Sequence, residues 1–177
     1  MVTLVITHTS ALDDATREAA RALLVEAFPD LTEEDWEHGL GGMHALLRES
    51  GGALIGHASV VQRQLVHGGR ALRTGYVENV VVRADRRGRG HGAALMAALE
   101  EVVRGGYQAG ALCSADDAVG FYAARGWRLW EGPLAALTPR GPEPTPDDEG
   151  EVFVLPGSVP LDLGGQLVCD WRAGDVW

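Results

Sequence analysis

The stretch RADRRGRGHGAALM, Arg83 to Met96, places four arginines and three glycines in its first ten residues and then continues in helix-forming residues. YVENVVV, Tyr76 to Val82, runs into it and reads as the most buried strand of the chain. The order is therefore strand, glycine loop, helix. Arg87, Gly90 and Gly92 fall at the spacing R-x-x-G-x-G. A helix entrance offers unpaired backbone N–H groups and the positive end of the helix dipole, a setting for phosphate. Glycines let the backbone come close to such a group, and arginines reach its outer oxygens. The same spacing also suits an arginine-rich surface turn with a plain helix cap. No GK[ST] is present for a Walker loop, and no G-x-G-x-x-G followed by an acid after a second strand for a Rossmann fingerprint.

The positive island stands in an acidic chain. Of 177 residues, 25 are acidic and 15 basic, a net charge of −10 that argues against nucleic acid or an anionic membrane as the main partner. It suits a cationic ligand, and equally plain solubility. All fifteen bases are arginine. Two cysteines far apart, Cys113 and Cys169, make no disulfide framework, so a reducing cytoplasm is expected. The opening MVTLVITHTS lacks the charge and length of a signal peptide, and no apolar run reaches the roughly 18 residues of a membrane span.

Outward from the loop, Val2 to His8 reads as a strand, with Thr9 or Ser10 capping a helix that runs to Phe28-Pro29. Thr32 and Asp35 resemble a capping box for a short helix. Glycine turns separate strands at 43–48, 53–65 and 71–83, an antiparallel meander. The helix after the loop covers Ala93–Val103, with Leu95, Leu99 and Val102 on one face. QAGALC is a further strand. Ser114 and Asp117 make a second capping box, for a helix carrying Phe121 and Tyr122 and ending at Gly126. RLWEGPLAALTP is strand-like, PRGPEPTPDDEG a proline-rich acidic loop, and EVFVLP and QLVCDW final strands. Without repeats or a long linker, residues 1–177 read as one α/β (α+β) domain, a mixed, mostly antiparallel sheet with flanking helices.

Strand, RRGRGHG and helix together resemble the acyl-coenzyme A signature of the GNAT N-acetyltransferases, whose loop wraps the coenzyme pyrophosphate. TEEDWEHGLGGMHAL, LRTGYVENVVVRADRRG, YQAGALCSADD, FYAARGW, TPDDEG and CDWRAGDVW follow in order and, from about Asp30 to Trp177, resemble the aminoglycoside 2′-N-acetyltransferases. The resemblance implies the GNAT fold, acetyl-CoA as cosubstrate, an aminoglycoside acceptor, antibiotic resistance and a homodimer. Another polyamine, a cell-wall amino sugar or a protein amine is the alternative acceptor.

Carried over position by position, the resemblance makes Glu78 the general base acting through water and Tyr122 the donor to the departing thiolate. The Val80 N–H becomes the oxyanion donor, and the backbone of Val80, Val81 and Val82 the partner of the pantetheine arm. Arg87, Gly88, Arg89, Gly90, His91 and Gly92 hold the pyrophosphate. Asp30, Asp35, Glu78, Cys113, Ser114, Asp148, Asp175 and Trp177, with the terminal carboxylate, face the acceptor. Cys113 stands where this family usually carries serine, which bears on drug preference. The chemistry agrees with the residue types, since an ammonium acceptor must lose a proton before it attacks a thioester. A polycation also calls for carboxylates around it. The six histidines show no metal-ligand spacing, and no metal is assigned.

Overall fold

The computed structural model describes residues 1–114 and 118–177. Strands β1 (Val2–His8), β2 (Met43–Glu49), β3 (Leu54–His67), β4 (Arg70–Val82) and β5 (Ala109–Cys113) alternate with helices α1 (Asp14–Ala27), α2 (Glu33–His38) and α3 (His91–Gly106). Helix α4 (Val119–Ala123) and strands β6 (Arg128–Leu129), β7 (Leu134–Thr138), β8 (Gly141–Pro144), β9 (Val152–Pro156) and β10 (Leu167–Asp170) complete the described elements. Strand pairing is mostly antiparallel, with β4–β5 and β7–β10 parallel. The chain divides into two compact units, Met1–Val61 with Val77–Val102, and Gln62–Tyr76 with Val103–Trp177. Strands β3 and β4 contribute a segment to each.

In the first unit β1 pairs with β2 and β2 with β3, all antiparallel. Leu12, Leu23 and Leu24 cluster with Trp36, Leu46, Leu54 and Val81. Each large apolar side chain buried this way contributes about 1.5–3 kcal/mol. The Thr32–Asp35 capping box forms as expected, both bonds present. The cap of α1 does not. Asp13 takes that place, its Oδ1 accepting from Thr16 N at 2.7 Å, while Thr9–Ala11 make a 3-10 turn. Thr9 is unavailable because its hydroxyl is buried, accepting from Gly41 N at 2.8 Å and lying 2.7 Å from His44 Nε2. In α3 the inward face carries Leu95, Met96, Leu99 and Val103, with Val102 only half-buried, so the stripe ends one residue later than the spacing predicts.

In the second unit β5 pairs antiparallel with β9, and β9 with β6; β10 lies between β3 and β7. Gly68 and Gly69, at φ 56° and 74°, close the β3–β4 hairpin with the two left-handed residues that a tight type I′ turn calls for. Helix α4 ends in a Schellman motif: Gly126, at φ 89°, donates to Ala123 O, and Trp127 N donates to Tyr122 O. The Ser114–Asp117 capping box lies in part outside the described residues. RLWEGPLAALTP divides into β6 and β7. The expected loop PRGPEPTPDDEG contains a strand, β8, paired with β7, and a 3-10 turn at Pro146–Asp148. Proline is compatible with β8 because the strand has a neighbour on one side only.

Candidate active site

Strand β4 is less buried than its apolar sequence suggests. The fully buried run of the sheet is Leu54–Val61 of β3, whereas Glu78, Asn79, Val80 and Val82 are half-buried. Within this segment Asn79, at φ 57°, is the one non-glycine residue in the left-handed region among those described. A left-handed residue inside a strand interrupts the alternation of faces. Ser59 Oγ donates to Glu78 O at 3.3 Å, and Asn79 Nδ2 to Trp36 O, at the end of α2, at 3.4 Å. Gly39 leaves room for these side chains, since a Cβ would stand 2.3 Å from Asn79 Nδ2 and 2.7 Å from Ser59 Oγ and both would have to shift. The parallel pairing of β4 with β5 covers only Thr74, Gly75 and Tyr76, while β4 runs on to Val82. Glu78 and Val80–Val82 thus sit on the part of β4 beyond that pairing.

The loop after β4 sorts its arginines. Arg83 Nε donates to Asp85 Oδ1 at 2.7 Å, and Arg86 Nε donates to Glu49 Oε1 at 2.5 Å. The hydrogen bond from Arg83 holds the Asp85 carboxyl below its ordinary pKa, and that from Arg86 does the same for Glu49. Arg87 donates to Val82 O at 3.0 Å. No carboxylate pairs with Arg87 or Arg89 among the described residues. Gly88 and Gly90 stand at φ 71° and 79°, and a Cβ at either would meet nothing within 4 Å. The demand for glycine is conformational, and the space in front is open. Gly90 O accepts the first helical bond, from Ala94 N at 3.0 Å, so the N–H groups of His91, Gly92 and Ala93 have no acceptor within α3. Arg86, Arg89 and His91 line a cavity of about 570 Å³ beside them.

Asp30 and Asp35 line a second cavity of the first unit, of about 370 Å³. One oxygen of Asp35 serves the capping box, accepting from Thr32 N at 2.8 Å.

The second unit holds the remaining expected residues. Tyr122 is 7% exposed, its ring 5.6 Å from that of Phe153 and 6.2 Å from that of Trp127. Cys113 is half-buried, with Sγ 3.9 Å from Glu151 Oε2; Ser114 N donates to Glu151 O at 2.9 Å. Asp148 ends the 3-10 turn that follows Thr145. Burial raises its carboxyl pKa, a hydrogen bond from Thr145 opposes this, and the charges of Asp175 and Asp147 add to the rise. Trp177 is buried and its indole donates to Thr145 Oγ1 at 2.8 Å. Asp148 and Trp177 thereby meet at Thr145, and the charge of Asp175 is near enough to act on Asp148. Sequence reasoning did not single out Gly39, Asn79, Thr145 or Glu151. An asparagine in a strand-like run was the one available signal.

The acetyltransferase (GNAT) family model matches residues 10–127. Over 97% of this chain and 90% of the other, 52% of residues are identical to the aminoglycoside 2′-N-acetyltransferase of Mycolicibacterium fortuitum. The chain belongs to the aminoglycoside 2′-N-acetyltransferases of the GNAT family. It is therefore an acyl-CoA-dependent N-acetyltransferase. Solved structures agree on the fold. The GNAT family N-acetyltransferase YhbS of Escherichia coli, in complex with CoA, is 16% identical with a TM-score of 0.63, covering 97% of this chain and 89% of its own. ElaA of Escherichia coli is 18% identical with a TM-score of 0.62, covering 87% and 99%.

The acetyltransferase's loop fits a pyrophosphate. Left-handed glycines, open space before them, three N–H groups without an acceptor in α3 and two arginines with no carboxylate partner among the described residues make a setting for a polyanion. Among the described residues, no group of three or more His, Cys, Asp or Glu is arranged to hold a metal ion, and no helix is long and apolar enough to cross a membrane.

Proposed function

We propose that the enzyme moves acetyl from acetyl-CoA to the 2′-amino group of an aminoglycoside, by direct attack of the amine in a ternary complex. Glu78 takes the ammonium proton through a water, so that a neutral amine meets the thioester. The Val80 N–H donates to the thioester oxygen as negative charge develops on it. Tyr122 donates its phenolic proton to the departing thiolate of CoA, which makes sulfur the better leaving group. Arg87 through Gly92 hold the pyrophosphate, and the backbone of Val80, Val81 and Val82 pairs with the pantetheine arm. Asp30, Asp35, Asp148 and Asp175 take the acceptor's ammonium groups, with Cys113, Ser114 and the Trp177 carboxylate on its hydroxyls. Base, oxyanion donor and acid are all groups of this chain, and the reading assigns no metal.

The observation that carries this reading is the 52% identity to an enzyme named for this reaction. The chemistry supports it: N–H groups at 91–93 without an acceptor in α3, and carboxylates at 148 and 175 close enough for one to raise the pKa of the other. Both carboxylates would gain from an ammonium group between them. We also read residues 1–177 as one domain, a homodimer in the cytoplasm that confers antibiotic resistance. The family match supports the single domain, since 10–127 draws on both units.

Thiol release from acetyl-CoA tests the proposal across four drugs. Gentamicin and tobramycin carry a 2′-amine and should turn over; kanamycin A and amikacin carry a 2′-hydroxyl and should not. Equal turnover of kanamycin A refutes the regiochemistry.

A further inference from the structure

The tail that carries Asp175 and Trp177 is held by an arrangement of one ring and two guanidinium groups, all within the second unit. Arg63 on β3 is 5% exposed and keeps its charge inside, donating from Nε to Asp170 Oδ1 and from Nη2 to Asp170 O, each at 2.8 Å. The second Asp170 oxygen accepts from Gln64 N at 3.2 Å. The Arg63 guanidinium carbon lies 4.7 Å from the ring centre of the wholly buried Tyr76. The Arg172 guanidinium carbon lies 5.4 Å from the same centre. Two cations at one ring repel each other, so each needs its own oxygen partners. Asp170 supplies those of Arg63. For Arg172 two partners are in the tail itself: Nε donates to Asp175 O at 2.6 Å and Nη2 to Trp177 O at 2.7 Å.

The tail consequently folds back on its own start. Cys169 Sγ donates to Val176 O at 3.3 Å, and the Trp177 indole reaches Thr145, three residues before Asp148. A planar fork can donate two bonds while its face rests on an aromatic ring; an ammonium group cannot do both.

We propose that Arg172 is a positioning residue: docked on the face of Tyr76, its guanidinium fixes the Asp175–Trp177 segment beside Asp148 and so sets the affinity of that half-site for a cationic acceptor. The inference rests on the reading that Asp148 and Asp175 receive the acceptor. It gives Arg172 no contact with either substrate and predicts a change in acceptor binding alone.

Three variants decide it: R172A, R172K and D175N, assayed for tobramycin KM, acetyl-CoA KM and kcat, and digested with carboxypeptidase to time the release of tail residues. Loss of the fork should raise the tobramycin KM about tenfold in both R172A and R172K, the scale of one charge-assisted contact. Acetyl-CoA KM and kcat should stay within about twofold, and tail residues should be released about tenfold faster. Full recovery in R172K would mean that charge alone suffices and would overturn the docking. Unchanged tail release in R172A, or a parallel rise of both KM values, would overturn it as well. D175N separates the two layers. If it leaves the tobramycin KM unmoved while R172A frees the tail, the positioning stands and the acceptor reading falls. If D175N raises that KM while R172A changes nothing, the acceptor reading stands and the positioning falls.

Discussion

The strands of the two units bury polar groups of different kinds, and in the first unit Glu100 of α3 is buried as well. In the first, the interior of β2 and β3 is neutral: His44 Nδ1 lies 2.9 Å from His57 Nε2, and Thr9 closes the chain at His44 Nε2. Burial, with smaller contributions from neighbouring positive charge, pushes His44 down to about 4 and His57 to about 3. In the second unit the buried group is Arg63, a permanent cation matched to Asp170. In the first unit Arg87 donates to Val82 O and, like Arg89, has no carboxylate partner among the described residues, which leaves charge at the glycine loop for the proposed anion. Beside the charged core, guanidinium groups act inward on the chain's own oxygens and leave the carboxylate of Asp175 exposed for a cation. On the proposed reading, arginine serves an anion in one unit and positions a carboxylate for a cation in the other.

The sharpest way to break this comparison is Tyr122→Phe. If the second unit only binds the acceptor, the change moves KM. If Tyr122 donates to the thiolate, kcat falls by roughly 10²–10⁴ with the melting temperature preserved, since phenylalanine keeps the contacts with Trp127 and Phe153. Steady-state kinetics with tobramycin distinguish the two, and a kcat within about threefold of the parent removes Tyr122 from the mechanism.

Acid should separate the units next. Unfolded histidine titrates near 6.5, whereas His44 and His57 in place resist protonation until about 4 and 3. As pH falls below 6.5 the unfolded chain takes up protons that the folded chain refuses. Stability that is complete above 6.5 is therefore lost toward pH 4, by up to about 1.4 kcal/mol per pH unit for each histidine. Hydrogen exchange at pH 7 and pH 5, corrected for intrinsic rates, should show β2 and the Leu54–Val61 part of β3 losing protection while β9 and β10 retain theirs. Loss in β9 and β10 first contradicts the assignment.

The smallest effects belong to the loop. Gly90→Ala puts a Cβ on a backbone at φ 79°, a strain of about 1–2 kcal/mol. It should weaken acetyl-CoA about tenfold in calorimetric titration while tobramycin stays within about twofold. Arg89→Ala should cost a fewfold in acetyl-CoA affinity, more at low salt, without a shift in melting temperature. Equal weakening of both ligands by Gly90→Ala would show that the loop is not confined to the anion.

Legibility in the sequence followed how local each cause is. The α2 capping box, the glycine hairpin and the loop before α3 are set by neighbours a few residues apart, and their spacing was readable. The α1 cap was misplaced because Thr9 answers to Gly41 and His44, far along the chain. Strand β8 was read as loop because proline content speaks against a central strand and says nothing about an edge. The bend at Asn79 depends on Trp36, Gly39 and Ser59, none of them in β4. The roles of Glu78, Tyr122 and the acceptor carboxylates came from family resemblance. The contact of Arg63 and Arg172 with Tyr76 joins three segments distant in sequence, and no spacing carries it.

The arginine cluster before α3 has a chemical consequence of its own. An acyl thioester is an indiscriminate reagent toward any amine that loses its proton near it, and lysine does so readily when desolvated. A guanidinium stays protonated at every pH the enzyme meets. With arginine at 83, 86, 87 and 89, and no lysine anywhere in the chain, no side chain offers the donor a competing amine. The cations proposed to receive the cosubstrate, Arg87 and Arg89, are thereby proof against modification by it.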